Sequence, residues 1–137
     1  MGRRPLIVLD THVLVWWVTG QTAELSRKAR TAIDKEAAGG EILVLSICAS
    51  EIAMLVERGR LQLTMDVEQW LDIVTDIDAV RFVSVNNRIA VKSVGLPGEF
   101  HKDPADRLIV ATARDAAAPL VTADEKIRQY AHVATIW

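Results

Sequence analysis

The chain has 137 residues, 50% hydrophobic and 25% charged, proportions that exclude intrinsic disorder, collagen and coiled coil and fit a single soluble domain spanning residues 1–137. Its 16 Lys and Arg against 18 Asp and Glu give a net charge of −2, without the basic excess usual in a nucleic-acid binder. Cys48, the single cysteine, excludes an intrachain disulfide and a cysteine-built zinc site and fits a reducing compartment. Arg3 and Arg4 before Leu6 to Leu9 mimic the start of a signal peptide, but the apolar run breaks at Asp10 and has no small-residue cleavage site. No run approaches the ~18 apolar residues of a membrane span. These features point to a cytoplasmic location with no membrane partner.

Leu6 to Leu9 is a short, β-branched apolar run ending at an acid, the pattern of a strand buried on both faces. Asp10 to Trp17 and Leu25 to Ala38 then read as helices. A second strand is predicted at Ile42 to Leu45, followed by a helix from Ser46 to Arg58 that Gly59 closes. Val67 to Ile77 has helical spacing at Val67, Trp70, Leu71 and Val74, and its acids Asp66, Glu68, Asp72, Asp76 and Asp78 read as a solvated face. Arg81 to Val85 is the third strand and Asn86 to Val94 the next helix. Gly95 to Lys102 is the loop long and polar enough to be mobile. Asp103 caps a helix running to Ala116, with Pro104 at its first position. Pro119 to Thr122, Asp124 to Ala131 and Val133 to Ile136 complete the pattern as strand, helix and strand. Strands alternating with helices give an α/β fold with a mainly parallel sheet.

In such a sheet, strand C-termini and helix N-termini share the edge where ligands bind. Asp10, Glu51, Asp106 and Asp124 all map to that edge. Asp10 and Asp124 also read as helix N-caps, and Asp106 as a capping-box acid favoured by the helix dipole. Glu51 shares a face with Ile47, Met54 and Leu55, and Asp106 with Ile109 and Val110; acids in apolar stripes are costly without a partner. Four converging acids repel one another, and a hard cation with oxygen ligands, Mg²⁺ or Mn²⁺, removes the conflict. The chemistry supported is metal-assisted phosphodiester hydrolysis, with no Ser-His-Asp order, P-loop or dinucleotide fingerprint to compete.

Leu9-Asp10-Thr11-His12, Ser50-Glu51-Ile52, the run from Asp103-Pro104-Ala105-Asp106-Arg107 to Thr112-Ala113, and Leu120-Val121-Thr122-Ala123-Asp124 resemble the motifs of PIN-domain ribonucleases, in particular VapC-type toxins of type II toxin-antitoxin modules. The likeness runs from Leu6 to about Tyr130 with order and spacing kept. It implies a three-layer α/β/α fold with a five-stranded sheet, an acidic Mg²⁺ or Mn²⁺ site, endoribonuclease activity, a cognate VapB-like antitoxin and a homodimer. Carried over by position, Asp10, Glu51 and Asp106 match the central acids and Asp124 the more variable fourth. Thr11 and Thr122 sit where a hydroxyl supports the cluster.

RNA needs positive charge beside the acids, and Lys102, Arg107, Lys126 and Arg128 flank them in sequence, with Arg3 and Arg4 further off. His12 and His101 are left as structural, and Trp16, Trp17, Trp70 and Trp137 as core unless exposure marks a contact surface. The competing function is a non-catalytic regulatory or interaction module of the same fold that binds metal for structure alone. A receiver domain is disfavoured because Thr11 follows Asp10 and the second strand ends at Ser46, and an Asp-x-Asp phosphatase because His12 stands two residues beyond Asp10. Removing the four negatives of the acid cluster from a chain of net −2 leaves the rest at +2, so the overall charge conceals a segregation.

Overall fold

β1 (Leu6–Leu9) is the middle strand of a five-stranded sheet, and its Ile7, Val8 and Leu9 are all buried, as a continuous apolar run requires when both sheet faces are covered. This is a computed structural model, and it describes residues 5–137; Arg3 and Arg4 lie outside the described residues. β2 (Glu41–Leu45), β3 (Val80–Val83), β4 (Leu120–Val121) and β5 (Thr135–Ile136) join β1 in the order β3-β2-β1-β4-β5, every neighbouring pair parallel. α1 (Thr11–Val18), a 3₁₀ turn at Thr22–Glu24 and α2 (Arg27–Gly39) connect β1 to β2. α3 (Ile47–Glu57) and α4 (Val67–Thr75) lead to β3, α5 (Asn87–Val94) and α6 (Pro104–Asp115) to β4, and α7 (Glu125–Arg128) to β5. Each predicted strand and helix is present, with ends displaced by up to three residues. Among the described residues no helix is long and apolar enough to cross a membrane.

The chain steps outward from β1 to β2 and β3, then returns to the other side of β1 for β4 and β5. Parallel crossovers are right-handed, so this reversal distributes helices to both faces of the sheet. It also opens a crevice beyond the carboxyl ends of β1 and β4, the switch point where open α/β sheets bind ligands.

Local chemistry sets the helix starts. Asp10, Ser26, Asp66, Asn86, Asp103 and Asp124 each accept a backbone N–H three residues on, so six of the seven α-helices carry a side-chain N-cap. Each is worth ~1 kcal/mol. The acids of the 66–78 segment are all exposed while Trp70 and Val74 of α4 are buried, as its amphipathic spacing implies. α6 ends in a turn where Ala117 takes φ 51°, a left-handed conformation that a Cβ disfavours. Ala117→Gly is therefore expected to raise stability by about 0.5 kcal/mol in urea unfolding, strain relief exceeding the entropy glycine adds to the unfolded chain.

The 95–102 loop, expected from its polar composition to be mobile, is tethered by side chains from outside it. The Arg107 guanidinium, rising from α6, donates to the carbonyls of Ser93 (2.8 Å), Val94 (3.1 Å), Phe100 (3.0 Å) and His101 (3.2 Å), gripping both ends of the loop. The Tyr130 hydroxyl donates to the Pro97 carbonyl, and the Phe100 and Tyr130 rings lie 4.7 Å apart. Polar composition made the segment look free, but its carbonyls are satisfied by side chains from outside it.

Candidate active site

Asp10 stands at the end of β1, with only 9% of its surface exposed. Its two oxygens divide two tasks. Oδ1 accepts the Val13 N–H at 3.1 Å and caps α1, while Oδ2 accepts the hydroxyl of Thr122. Thr122, fully buried just after β4, also accepts the Asp124 N–H at 3.0 Å, so one hydroxyl links the ends of β1 and β4. Asp124 in turn caps α7 through Oδ1, 3.2 Å from the Ile127 nitrogen. Asp10 and Asp124 thus both serve as the helix N-caps expected of them.

Glu51 projects from α3, and its Oε1 accepts the hydroxyl of Thr11, a buried residue in the first turn of α1. The stripe expected around it is rotated: α3 buries Cys48 and Ile52, whereas Met54 is 46% exposed and Glu51 only half-buried. Asp106 lies in the first turn of α6, where its own N–H is held by Asp103 at 2.9 Å and Ile109 and Val110 are buried behind it. Its Oδ2 is 3.1 Å from the buried Nε2 of His101, which is close enough for an ion pair but not aligned as a hydrogen bond.

Asp10, Glu51, Asp106 and Asp124 line one cleft of about 270 Å³ together with Thr11, His12, Trp16 and Ile109. The acids oppose one another there. Burial pushes Asp106 up from 3.8 to about 7, helped by the charges of Asp103, Asp124, Glu51 and Asp10. Burial likewise lifts Asp10 to about 6, against the hydrogen bonds from Thr122 and Val13 that favour its charged form. An all-carboxylate set with two members resisting ionisation fits a hard divalent cation and no soft one. Among the described residues no group of three or more His, Cys, Asp or Glu side chains lies close enough together to hold a metal ion as the side chains stand. Burial also pushes the Cys48 thiol up to about 12, so it offers no thiolate nucleophile beside the acids.

A pH dependence follows. Both carboxylates have folded values above their unfolded one, so protonation favours the fold; the stability they contribute is full below about pH 4 and is lost as pH rises through about 6 and 7. In chelator, thermal unfolding should show stability falling by about 2 kcal/mol per carboxylate between pH 5 and pH 8. Asp106→Asn should flatten that slope, and added divalent cation should reverse it.

Among the basic residues assigned to RNA from sequence, Lys102, Lys126 and Arg128 are exposed and in no ion pair among the described residues. Lys126 and Arg128 sit on α7, the helix that Asp124 caps. Arg107 is a correction: four of its donors are spent on carbonyls, so it fastens the loop and is not available as a phosphate ligand. Sequence reading underrated His101, whose contact with Asp106 crosses the cap, and Trp16, which the i, i+4 spacing from His12 places on the same face of α1.

A parallel α/β sheet with four carboxylates at its switch crevice is the class of protein that fold and cleft define. A family model described as PIN domain matches residues 7–133, and the chain belongs to the PIN-domain family. It is 38% identical over 133 residues, 96% of this chain and 98% of the relative, to Ribonuclease VapC22 of Mycobacterium tuberculosis (strain ATCC 25618 / H37Rv). Solved structures share the fold at lower identity. VapBC2 from Rickettsia felis bound to a DNA fragment from their promoter matches at TM-score 0.70 and 17% identity, covering 95% of this chain and 96% of that one. A toxin-antitoxin complex from Klebsiella pneumoniae matches at TM-score 0.63 and 21% identity, covering 94% and 96%.

Proposed function

We propose that this protein is a divalent-metal-dependent endoribonuclease, the toxin of a VapBC-like type II toxin-antitoxin module. The observation that carries the reading is the convergence of four carboxylates on one cleft at the sheet's switch point. Membership of the PIN-domain family and 38% identity to a protein named Ribonuclease VapC22 support it. Asp10, Glu51 and Asp106 would hold Mg²⁺ or Mn²⁺, directly or through water, and Asp124 would complete the set. Such an ion, when bound, supplies Lewis-acid stabilisation of the phosphate charge and a water of lowered pKa.

The chain's own residues have definite tasks in this scheme. Thr122 and Thr11 fix the carboxylates of Asp10 and Glu51 by hydrogen bonds and so preorganise the acids before substrate arrives. Lys102, Lys126 and Arg128 offer exposed charge to the RNA backbone, and no protein nucleophile is required. A VapB-like antitoxin as partner is supported by the toxin-antitoxin complexes among the structural neighbours, and we read the chain as a cytoplasmic homodimer in that setting.

The test is to induce the chain in a host with and without the adjacent open reading frame and map RNA 5′ ends. Growth arrest with discrete new ends, relieved by the neighbouring gene, is the expected result; the purified protein should cleave RNA with Mg²⁺ or Mn²⁺ and stop in chelator. Metal-dependent stability without any RNA turnover would instead favour a non-catalytic metal-binding module.

A further inference from the structure

The acids share their cleft with aromatic side chains. His12, exposed in the first turn of α1, and Trp16, one turn further along the same face, are the aromatic side chains lining the cleft, with ring centroids 5.8 Å apart and planes tilted by 48°. Trp137, just beyond β5, lies 6.2 Å from Trp16 at 47°, so His12, Trp16 and Trp137 form one row of neighbouring rings. Trp16 and Trp137 pack against the core but stay partly exposed, unlike Trp70, which is 4% exposed.

We propose that Trp16, braced by Trp137 and flanked by His12, is a stacking platform for a nucleobase of single-stranded RNA next to the phosphate held at the acids. The proposal rests on the ribonuclease reading and adds a residue that positions the strand. Asp10 and His12 are separated by one residue, so a chain whose phosphate sits at the carboxylates carries its neighbouring base past the aromatic row. Aromatic rings recognise bases through the π-face, which is available only when the base is unstacked from a duplex. The carboxylates of the cleft repel phosphate in the absence of a cation, so its aromatic side chains give the strand a contact that costs no charge.

The test uses the Asp10→Asn protein, so that RNA is bound but not cut, and a fluorescently labelled pool of short single-stranded oligoribonucleotides. Added Trp16→Leu, which keeps an apolar side chain but removes the π-face, should weaken binding about five- to a hundred-fold, whereas Trp16→Phe should retain most of it. Binding of a duplex RNA of the same composition should be unchanged by either. In the Asp10-intact enzyme, Trp16→Leu should raise KM for the single-stranded pool, with the metal concentration giving half-maximal activity unchanged. If Trp16→Leu misfolds, loss of the oligonucleotide-induced tryptophan quench in the folded Trp16→Phe protein carries the same decision. Unchanged single-strand affinity, or an equal loss on duplex, overturns the platform while leaving the ribonuclease reading intact. Loss confined to neutralisation by the protein partner also overturns it and makes the row a protein-docking surface. A wild-type enzyme that cleaves no RNA under any metal condition brings down the ribonuclease reading, and the platform with it.

Discussion

Purified Asp10→Asn protein should lose RNA cleavage by ~10²–10³-fold relative to the unsubstituted chain, the several kcal/mol of transition-state stabilisation that a correctly held divalent ion contributes. The substitution is nearly isosteric. Asparagine retains an Oδ1 to cap α1 at Val13, so the helix start that Asp10 provides survives while the negative charge does not. At pH 8 without metal the same variant should be more stable, because burial raises Asp10 to about 6 and its ionised form is unfavourable in the fold; at low pH the gain disappears, since the asparagine NH₂ cannot accept the Thr122 hydroxyl that Oδ2 accepts. Activity falling while stability rises is the signature expected of a site kept under electrostatic strain for its function. Single-turnover cleavage and thermal melts of one preparation check both halves. Cleavage within tenfold of the unsubstituted protein would sink the assignment of Asp10 as a metal ligand.

Arg107→Met should cost about 2–3 kcal/mol in urea unfolding, since a part-buried network loses its charged donor and four carbonyls, two at the end of α5 and two in the loop, lose their partner together. Lysine restores the charge but not the planar fork, and one ammonium cannot serve carbonyls at both ends of the loop, so Arg107→Lys should recover less than half of the loss. Hydrogen exchange should localise the effect to the 95–102 loop, which lies next to the first turn of α6 and carries His101 against Asp106. Cleavage should then fall with the loop, through a displaced Asp106. A substitution that leaves exchange in 95–102 unchanged would mean that the tether is redundant with Tyr130 and its bond to Pro97.

These two residues mark the limit of what could be read from the chain alone. Short apolar runs ending in an acid, and Ser, Asp or Asn placed before a helical pattern, act over a few residues. The physics of burial and capping is local, so the sequence by itself determined the five strands, the helix starts and the α/β class. It also determined the acid set, because each of the four carboxylates sits at a strand end or in the first turns of a helix, where only the sheet's edge is available to it. What the tertiary structure decided are the pairings between distant positions. Thr122 finds Asp10 across 112 residues and Thr11 finds Glu51 across 40, and no periodicity encodes such contacts. Arg107 looked like a phosphate ligand because its charge is visible in sequence, but where its five donors go is set by which carbonyls the folded loop leaves unsatisfied. The loop is held for the same reason, and Trp16 becomes part of the cleft lining because the packing of α1 against the core leaves its side chain partly exposed there.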